Sequence, residues 1–154
     1  MPKVEMDLDT PLSPEQVVAG LTDFSDRRPQ IWPGITPRLY EVYSVGETSA
    51  DVREGTKSPG MTVWAMEHYD WSTPGRVTWT VKESNFCAPG SYVSALVTPR
   101  EGGGSHVHLT WERTPTTFKG RLAAFVIVRS KGKPVLASFR KGLANLGRDS
   151  GRPS

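Results

Sequence analysis

Six short segments between residues 39 and 113 alternate apolar and polar side chains, and turns rich in Gly and Pro connect them. Alternation with a period of two is typical of a β-strand that buries one face. Short connections between successive strands favour antiparallel pairing. We therefore predict a six-stranded antiparallel meander with one covered face and one face in water. The predicted strands are 39–45, 49–56, 61–71, 76–84, 92–98 and 106–113.

One further strand and two short helices are predicted before this meander. Residues 4–8 alternate in the same way as the later segments. Ser13 and Gln16 have the spacing of a capping box, which predicts a helix from this point to about residue 22. A second short helix is expected to begin after Asp26 as its capping residue, and the Pro33-Gly34 pair is expected to end it.

The C-terminal segment predicts a helix that covers the sheet. On a 3.6-residue helix, its apolar side chains from residue 135 onward fall within an arc of about 100 degrees. Lys141 and Asn145 lie on the opposite side. The arc is a single apolar stripe that needs a partner surface, and the sheet supplies one. The residues of the stripe are Val135, Leu136, Phe139, Leu143 and Leu146.

Residues 122–128, just before this stripe, are apolar on all sides. Alone they fit either a strand or a buried helix, but their continuity with the following helix favours a helix. Gly132 and Pro134 are expected to bend or interrupt that helix. A helix that covers one sheet face does not need to be apolar all round. We therefore predict that residues 118–128 form the wall or lid of a pocket.

The length of 154 residues and the ordinary apolar content fit one globular domain. We assign residues 1–147 to this domain and residues 148–154 to a polar tail that is expected to be disordered. Cys87 is the only cysteine, so no intrachain disulfide can form. Since residues 1–10 also lack a signal-peptide pattern, we expect a cytoplasmic protein. No apolar run approaches the roughly 18 residues of a membrane span.

Charge is distributed unevenly along the chain. From Lys119 onward there are nine Lys or Arg residues and one acidic residue, whereas the preceding part has ten basic and fifteen acidic residues. This pattern fits contact with an anionic surface, such as membrane headgroups, nucleic acid or an acidic partner. It also fits the solvated face of a helix, which is the interpretation we favour. We therefore expect no nucleic-acid partner, and at most a weak contact with an anionic membrane surface.

Four stretches carry a family resemblance, namely PGITPRLYEVYSV, ADVREGT, TVWAMEHYDW and KGRLAAFVIVRSKGKPVLASFRKGLANL. With the order of the predicted elements, they resemble the SRPBCC superfamily (START-like or Bet v 1-like), whose bacterial members are often labelled polyketide cyclase/dehydratase. The resemblance implies an α+β helix-grip fold, in which a curved antiparallel sheet of about seven strands wraps around a long C-terminal helix. It also implies an apolar cavity between sheet and helix for a lipid, polyketide or other apolar molecule. Only some members are enzymes, and no fixed catalytic set carries over.

Large apolar side chains on the covered sheet face and on the C-terminal helix are the candidate pocket residues. Rings around a cavity suit apolar ligands, and each Trp adds one polar group. The alternative is that these rings fill the core completely, and the resemblance favours the open cavity. The predicted pocket residues are Trp32, Trp64, Val77, Trp79, Val81, Leu109, Trp111, Leu122, Phe125 and Phe139.

Two of the predicted strands contain candidate catalytic residues. A His near a carboxylate can act as general base in an aldol-type cyclisation or a dehydration. The candidates on residues 106–113 alternate with apolar residues and are predicted to face water, whereas the inward face of residues 61–71 is left open. The candidates are Glu67, His68, Tyr69, Asp70, His106, His108 and Glu112.

Non-enzymatic binding of an apolar small molecule or lipid is our first functional hypothesis, because no catalytic constellation stands out. The alternatives are a small enzyme of polyketide cyclase/dehydratase type that acts on such a ligand, and an interaction module that uses the basic C-terminal helix. His106 and His108 share a strand face without a third ligand nearby, so we predict no metal site. No cofactor is predicted, and the oligomeric state is left open.

Overall fold

Residues 2–150 are described by the structure, a computed structural model. These residues form seven strands, four α-helices and one 3-10 helix. In chain order the elements are β1 (Lys3–Thr10), α1 (Pro14–Leu21), α2 (Arg28–Ile31), the 3-10 helix (Pro37–Leu39), β2 (Glu41–Val45), β3 (Ser49–Ser58), β4 (Met61–Asp70), β5 (Arg76–Ser84), β6 (Tyr92–Pro99), β7 (Ser105–Glu112), α3 (Phe118–Arg129) and α4 (Lys133–Ser150).

All seven strands belong to one antiparallel sheet with the order β1-β7-β6-β5-β4-β3-β2. The predicted meander forms β2 to β7, and β1 pairs with β7 so that Val4 lies opposite Trp111. The register shifts after Val42 in the β2–β3 pair and after Met66 in the β4–β5 pair. Such bulges bend a strand and increase its twist. The sheet is curved, and helices pack against it.

One face of the sheet is buried, as the alternation predicts. Val77, Ala95 and Leu109 on the central strands are fully buried on the concave face. Val17 of α1 and Phe139 of α4 belong to the same apolar cluster. Burial of apolar side chains contributes about 25 cal/mol for each Å² removed from water, so this shared cluster is the main stabilising term of the fold.

The capping box predicts the start of α1 correctly. The Ser13 hydroxyl accepts from the Gln16 backbone N–H, and the Gln16 side chain accepts from the Ser13 N–H. The prediction for α2 is wrong at its start, because the capping position is Arg27 rather than Asp26 and no side chain caps it. The predicted strand from residue 39 is also shorter, because Pro37 with its fixed φ angle begins a 3-10 turn.

The C-terminal helix is divided in two, and Gly132 marks the division. Its φ angle is +80°, and a Cβ atom there would lie 2.3 Å from the Met6 sulfur, so only glycine fits. The predicted break at Gly132 is therefore confirmed, whereas Pro134 lies inside the first turn of α4. Phe139 and Leu143 of the predicted stripe are buried against the sheet. The helix-grip prediction is confirmed.

The C-terminal boundary differs from the prediction. Helix α4 continues to Ser150, so residues 148–150 of the predicted tail are helical, and residues 151–154 lie outside the described residues. Among the helices of residues 2–150, none combines the length and apolar character that a membrane span requires.

Candidate ligand-binding cavity

A cavity of about 440 Å³ lies between the concave face of the sheet and α4. Ala65 lies on the cavity wall, and it is the smallest side chain on the inward face of β4. The size of the cavity falls in the range of pockets that hold small molecules. The apolar lining residues are Leu21, Trp32, Ile35, Val63, Ala65, Trp79, Phe86, Val93, Leu109, Trp111, Pro134, Val135 and Phe139.

Exposed lining residues show where the cavity meets solvent. Gly34, Thr56, Pro134 and Ser138 line the cavity and are exposed. They come from the loop after α2, from β3 and from the first turns of α4. The Thr56 hydroxyl donates to the Gly34 carbonyl, and the Thr36 N–H donates to the Gly55 carbonyl at 2.8 Å. One side of this mouth is therefore tied to the sheet by hydrogen bonds.

A buried guanidinium organises the polar end of the cavity. Arg28 is 3% exposed, and its Nε donates to a Glu54 carboxylate oxygen at 2.8 Å. Its Nη2 donates to the Tyr69 hydroxyl at 3.0 Å, and its Nη1 donates to the carbonyls of Leu21 and Asp23 at 2.9 and 3.1 Å. The Tyr69 hydroxyl donates in turn to Glu54. Each guanidinium nitrogen has a partner, as a buried cation requires.

A second ion pair lies beside the first. Glu67 of β4 is 4% exposed, and Arg113 Nη2 donates to its carboxyl at 3.2 Å. The Arg113 guanidinium lies 5.8 Å from the centre of the Phe86 ring. Arg113 Nε is buried, and no hydrogen-bond partner is present for it among the described residues. Arg113 therefore keeps an unused donor, which Arg28 does not.

Burial governs the protonation of this cluster. It raises the pKa of Glu67 to about 8, with the Arg113 cation opposing the rise and the Glu54 carboxyl adding to it. Burial also raises the pKa of Tyr69, and Glu54 raises it further. Burial lowers the pKa of Arg28, but Glu54 and Tyr69 outweigh this and hold it above its ordinary value. Near neutral pH, Glu67 can thus donate or accept a proton inside the cavity.

A smaller apolar compartment of about 170 Å³ lies beneath α3. It shares Val63, Phe86, Trp111 and Arg113 with the larger cavity. Ala124 of α3 also lines it, together with the buried thiol of Cys87. The two compartments therefore meet at the Arg113 side chain with its unused donor.

The sequence matches a family model over residues 1–151, and the family is described as polyketide cyclase / dehydrase and lipid transport. The chain belongs to this family. The SRPBCC assignment is thereby confirmed. Among curated proteins, none has a sequence that matches this polyketide cyclase/dehydrase family member significantly.

Solved structures share its fold at low sequence identity. TTHA0849 from Thermus thermophilus is 20% identical with a TM-score of 0.77, and the match covers 98% of this chain and 100% of that one. The Zhui aromatase/cyclase from Streptomyces sp. R1128 is 13% identical with a TM-score of 0.75, over 95% and 93% of the two chains. A START superfamily protein from Mycobacterium smegmatis is 12% identical with a TM-score of 0.73, over 95% of each chain. These similarities show a common fold.

Half of the pocket residues predicted from sequence line the cavity of this family member. Those five are Trp32, Trp79, Leu109, Trp111 and Phe139. Val77 and Val81 are buried on the same concave face but do not line the cavity. Trp64, Leu122 and Phe125 lie elsewhere, so their assignment to the pocket needs correction.

Two physical reasons explain these three corrections. Ala65, Glu67 and Tyr69 of β4 point inward, so Trp64 belongs to the opposite face of the sheet. Helix α3 packs through its small residues, which lets it approach the sheet closely and turns its large side chains outward. Leu122 and Phe125 are exposed for this reason.

The candidate catalytic residues are also divided between the two faces of the sheet. Glu67 and Tyr69 lie in the cavity, whereas His68 lies on the opposite face and pairs with Asp51 at 2.9 Å. The other outward candidates are Asp70, His106, His108 and Glu112, and the two His residues pair with acidic residues of β1. Among the described residues, no group of three or more His, Cys, Asp or Glu side chains could hold a metal ion.

Sequence reasoning missed three residues of the polar cluster, namely Arg28, Glu54 and Arg113. Glu54 did carry a signal, because it shares the apolar face of its strand with Ala50 and Val52. A carboxylate at such a position needs a buried partner. Arg28 lies in a helix of four residues, which is too short to show periodicity.

Proposed function

We propose that this protein binds an apolar small molecule with one oxygenated polar end in the cavity between the sheet and α4. The observation that carries the proposal is an open cavity of about 440 Å³ with an apolar wall and a buried polar cluster at one end. Burial of apolar ligand surface supplies the affinity, and a few placed polar groups supply orientation.

The aromatic wall supports an apolar occupant. Trp79 stacks on Tyr69 with 5.4 Å between ring centres and an angle of 16° between the planes. Trp32 packs on Phe139 at 5.3 Å. Side chains that already contact one another lose little freedom when a ligand arrives, so more of the burial energy appears as affinity.

The unused donor of Arg113 supports an oxygen atom on the ligand. Arg28 makes its hydrogen bonds to protein groups and therefore has a structural role. Arg113 Nε lacks such a bond, and a buried donor without a partner costs about 1–3 kcal/mol. Arg113 lines both compartments, so a small turn of its side chain would bring this donor to a carbonyl, hydroxyl or carboxylate oxygen on the ligand. Glu67 lies next to this donor and can donate a second hydrogen bond in its protonated form.

A cyclase- or dehydratase-type reaction on the same ligand is the second candidate function. The observation that favours it is the raised pKa of Glu67, because an acid that titrates near neutral pH can move a proton to or from a bound carbonyl compound. The Tyr69 hydroxyl donates to Glu54 in the same cluster, so Tyr69 is a second proton-bearing group beside Glu67.

A dye titration tests the binding proposal, with anilinonaphthalene sulfonate as the apolar probe. Val93→Phe places a ring into the cavity, and we expect it to weaken binding by at least about tenfold. Val45→Phe on the exposed face of β2 makes the same change outside the cavity and serves as the control. Equal binding by Val93→Phe and the parent protein would refute the cavity as the binding site.

Native mass spectrometry then identifies the class of ligand. The purified protein is incubated with a lipid extract, and a retained apolar molecule is expected with the parent protein but not with Val93→Phe. Glu67→Gln separates the two candidate functions, because it keeps the shape and hydrogen-bonding capacity of the protonated acid but cannot transfer a proton. Retained affinity with lost turnover of a bound carbonyl compound supports catalysis, and unchanged turnover argues against it.

A further inference from the structure

Helix α3 exposes an apolar face to solvent. Phe118, Leu122 and Phe125 are 73%, 53% and 64% exposed, and on a 3.6-residue helix they fall within about 60 degrees. The large exposed apolar residues of the described chain are Tyr43, Val45, Phe118, Leu122, Phe125, Val126 and Val128, and five of these seven belong to α3. Exposed apolar surface that is concentrated in one place is typical of an interaction site.

The opposite face of α3 already has its partner. Gly120 and Ala124 are buried, and a Cβ atom at Gly120 would lie 3.2 Å from the Pro115 side chain and 3.3 Å from the Phe86 carbonyl. Rotating the helix to bury Phe125 would force a large ring into this narrow space. The outward orientation of the apolar face is therefore fixed by packing.

Basic residues surround this apolar face. Lys119 and Arg121 lie on its two sides at the start of the helix, and Arg129 lies at its end. Lys131 and Lys133 follow directly. The sequence from residue 113 to residue 148 contains no Asp or Glu. An apolar stripe whose charged neighbours on the same helix are all basic has the composition of a helix that lies in the interface of an anionic membrane.

We propose that the exposed face of α3 docks the protein onto an anionic membrane surface. Phe118, Leu122 and Phe125 enter the boundary between headgroups and acyl chains. Arg121, Arg129 and the Lys residues that follow pair with lipid phosphates, and each such pairing near the surface favours binding. Lys119 Nζ donates to the Gly60 carbonyl at 2.9 Å and adds its charge beside the same face. The proposal is independent of the contents of the cavity.

Charge argues against a second copy of the chain as the occupant. Two α3 helices that pack face to face would bring the rim of Lys119, Arg121 and Arg129 close to the same rim of the partner. Neither α3 carries an acidic residue to offset this repulsion. An anionic bilayer surface offsets all of these charges at once and also accepts the apolar side chains.

Vesicle flotation of the full chain tests the proposal. The vesicles contain phosphatidylcholine alone, or phosphatidylcholine with about one third phosphatidylglycerol. The parent protein is expected to float with the anionic vesicles, to float less at high salt, and to stay behind with the neutral ones. Leu122→Ser/Phe125→Ser is expected to lower the bound fraction by at least about tenfold. Arg121→Glu/Arg129→Glu is expected to abolish the preference for anionic lipid.

Tyr43→Ser/Val45→Ser is the matched control, since it removes two exposed apolar side chains from β2 and leaves α3 intact. It should float like the parent protein. Thermal unfolding checks that each variant folds, which is expected because the changed side chains are exposed. The proposal is overturned if the parent protein does not float with anionic vesicles, or if Leu122→Ser/Phe125→Ser floats with them to the same extent as the parent. It is also overturned if sedimentation shows that the parent protein is a dimer and that Leu122→Ser/Phe125→Ser is a monomer, because α3 would then join two copies.

Discussion

Replacing Glu67 by Gln is expected to change how the stability of the protein depends on pH. In the folded protein, burial raises the pKa of Glu67 from 4.5 to about 8. In the unfolded chain the carboxyl loses its proton near its ordinary pKa. Between these two values the folded state therefore holds one proton more than the unfolded state. Stability contributed by this group is fully present below about pH 4.5 and is lost as the pH rises to about 8.

The magnitude follows from the width of that window. Each pH unit inside it lowers the free energy of unfolding of the parent protein by about 1.4 kcal/mol. The full window amounts to a loss on the order of 5 kcal/mol. The amide introduced by Glu67→Gln would mimic the protonated acid, since it can donate towards Glu54 and its carbonyl can accept from Arg113. The variant keeps these contacts but loses the titration, so it should be the more stable protein at high pH.

Urea unfolding followed by Trp fluorescence measures this effect. Free energies of unfolding for parent and Glu67→Gln are compared at several values between about pH 5 and about pH 9, at constant ionic strength. The advantage of the variant should grow up to about pH 8 and then level off. Glu83→Gln makes the same change at an exposed position of β5 and controls for the amide itself. A difference between parent and Glu67→Gln that stays constant with pH would refute the reasoning.

Two further predictions concern packing and charge. Arg28→Leu leaves the Glu54 carboxylate buried without its cation, so the free energy of unfolding in urea should fall by about 3–5 kcal/mol. Arg28→Lys should be less harmful. A loss below about 1 kcal/mol for Arg28→Leu would contradict the structural role of Arg28. Gly142→Ala places a Cβ atom 2.0 Å from the Trp32 ring and should cost about 1–3 kcal/mol and shift the Trp fluorescence. Gly147→Ala is its control, since that Cβ atom meets Leu12 at an ordinary 3.7 Å and should be neutral or stabilising.

Alternation and turn chemistry made the sheet predictable from the sequence. On β7, Val107, Leu109 and Trp111 face the core in the predicted way. Local rules also predicted the α1 capping box and the break at Gly132. They failed where a single residue overrides the pattern, as Pro37 does at the start of β2.

The candidate site was less predictable because its polar cluster depends on contacts that are distant in the sequence. Arg28 meets Tyr69 across 41 positions, and Arg113 meets Glu67 across 46. Both faces of β4 carry aromatic and ionisable side chains, so alternation alone could not identify the inward face. Periodicity also could not predict which side of residues 122–128 faces the sheet, because these residues are apolar on all sides. The small size of Gly120 and Ala124 decides the orientation of the helix.

The contact between Gly132 and β1 also has an evolutionary consequence. Because its backbone packs directly against Met6, the junction between the two C-terminal helices stays in one place on the sheet. Changes on the exposed face of the 12-residue helix α3 therefore do not shift the register of α4, which carries Phe139 and Leu143 into the core. The chain thus separates an exposed helix face, whose side chains can vary, from the segment that maintains the domain. Selection can revise the first without endangering the second.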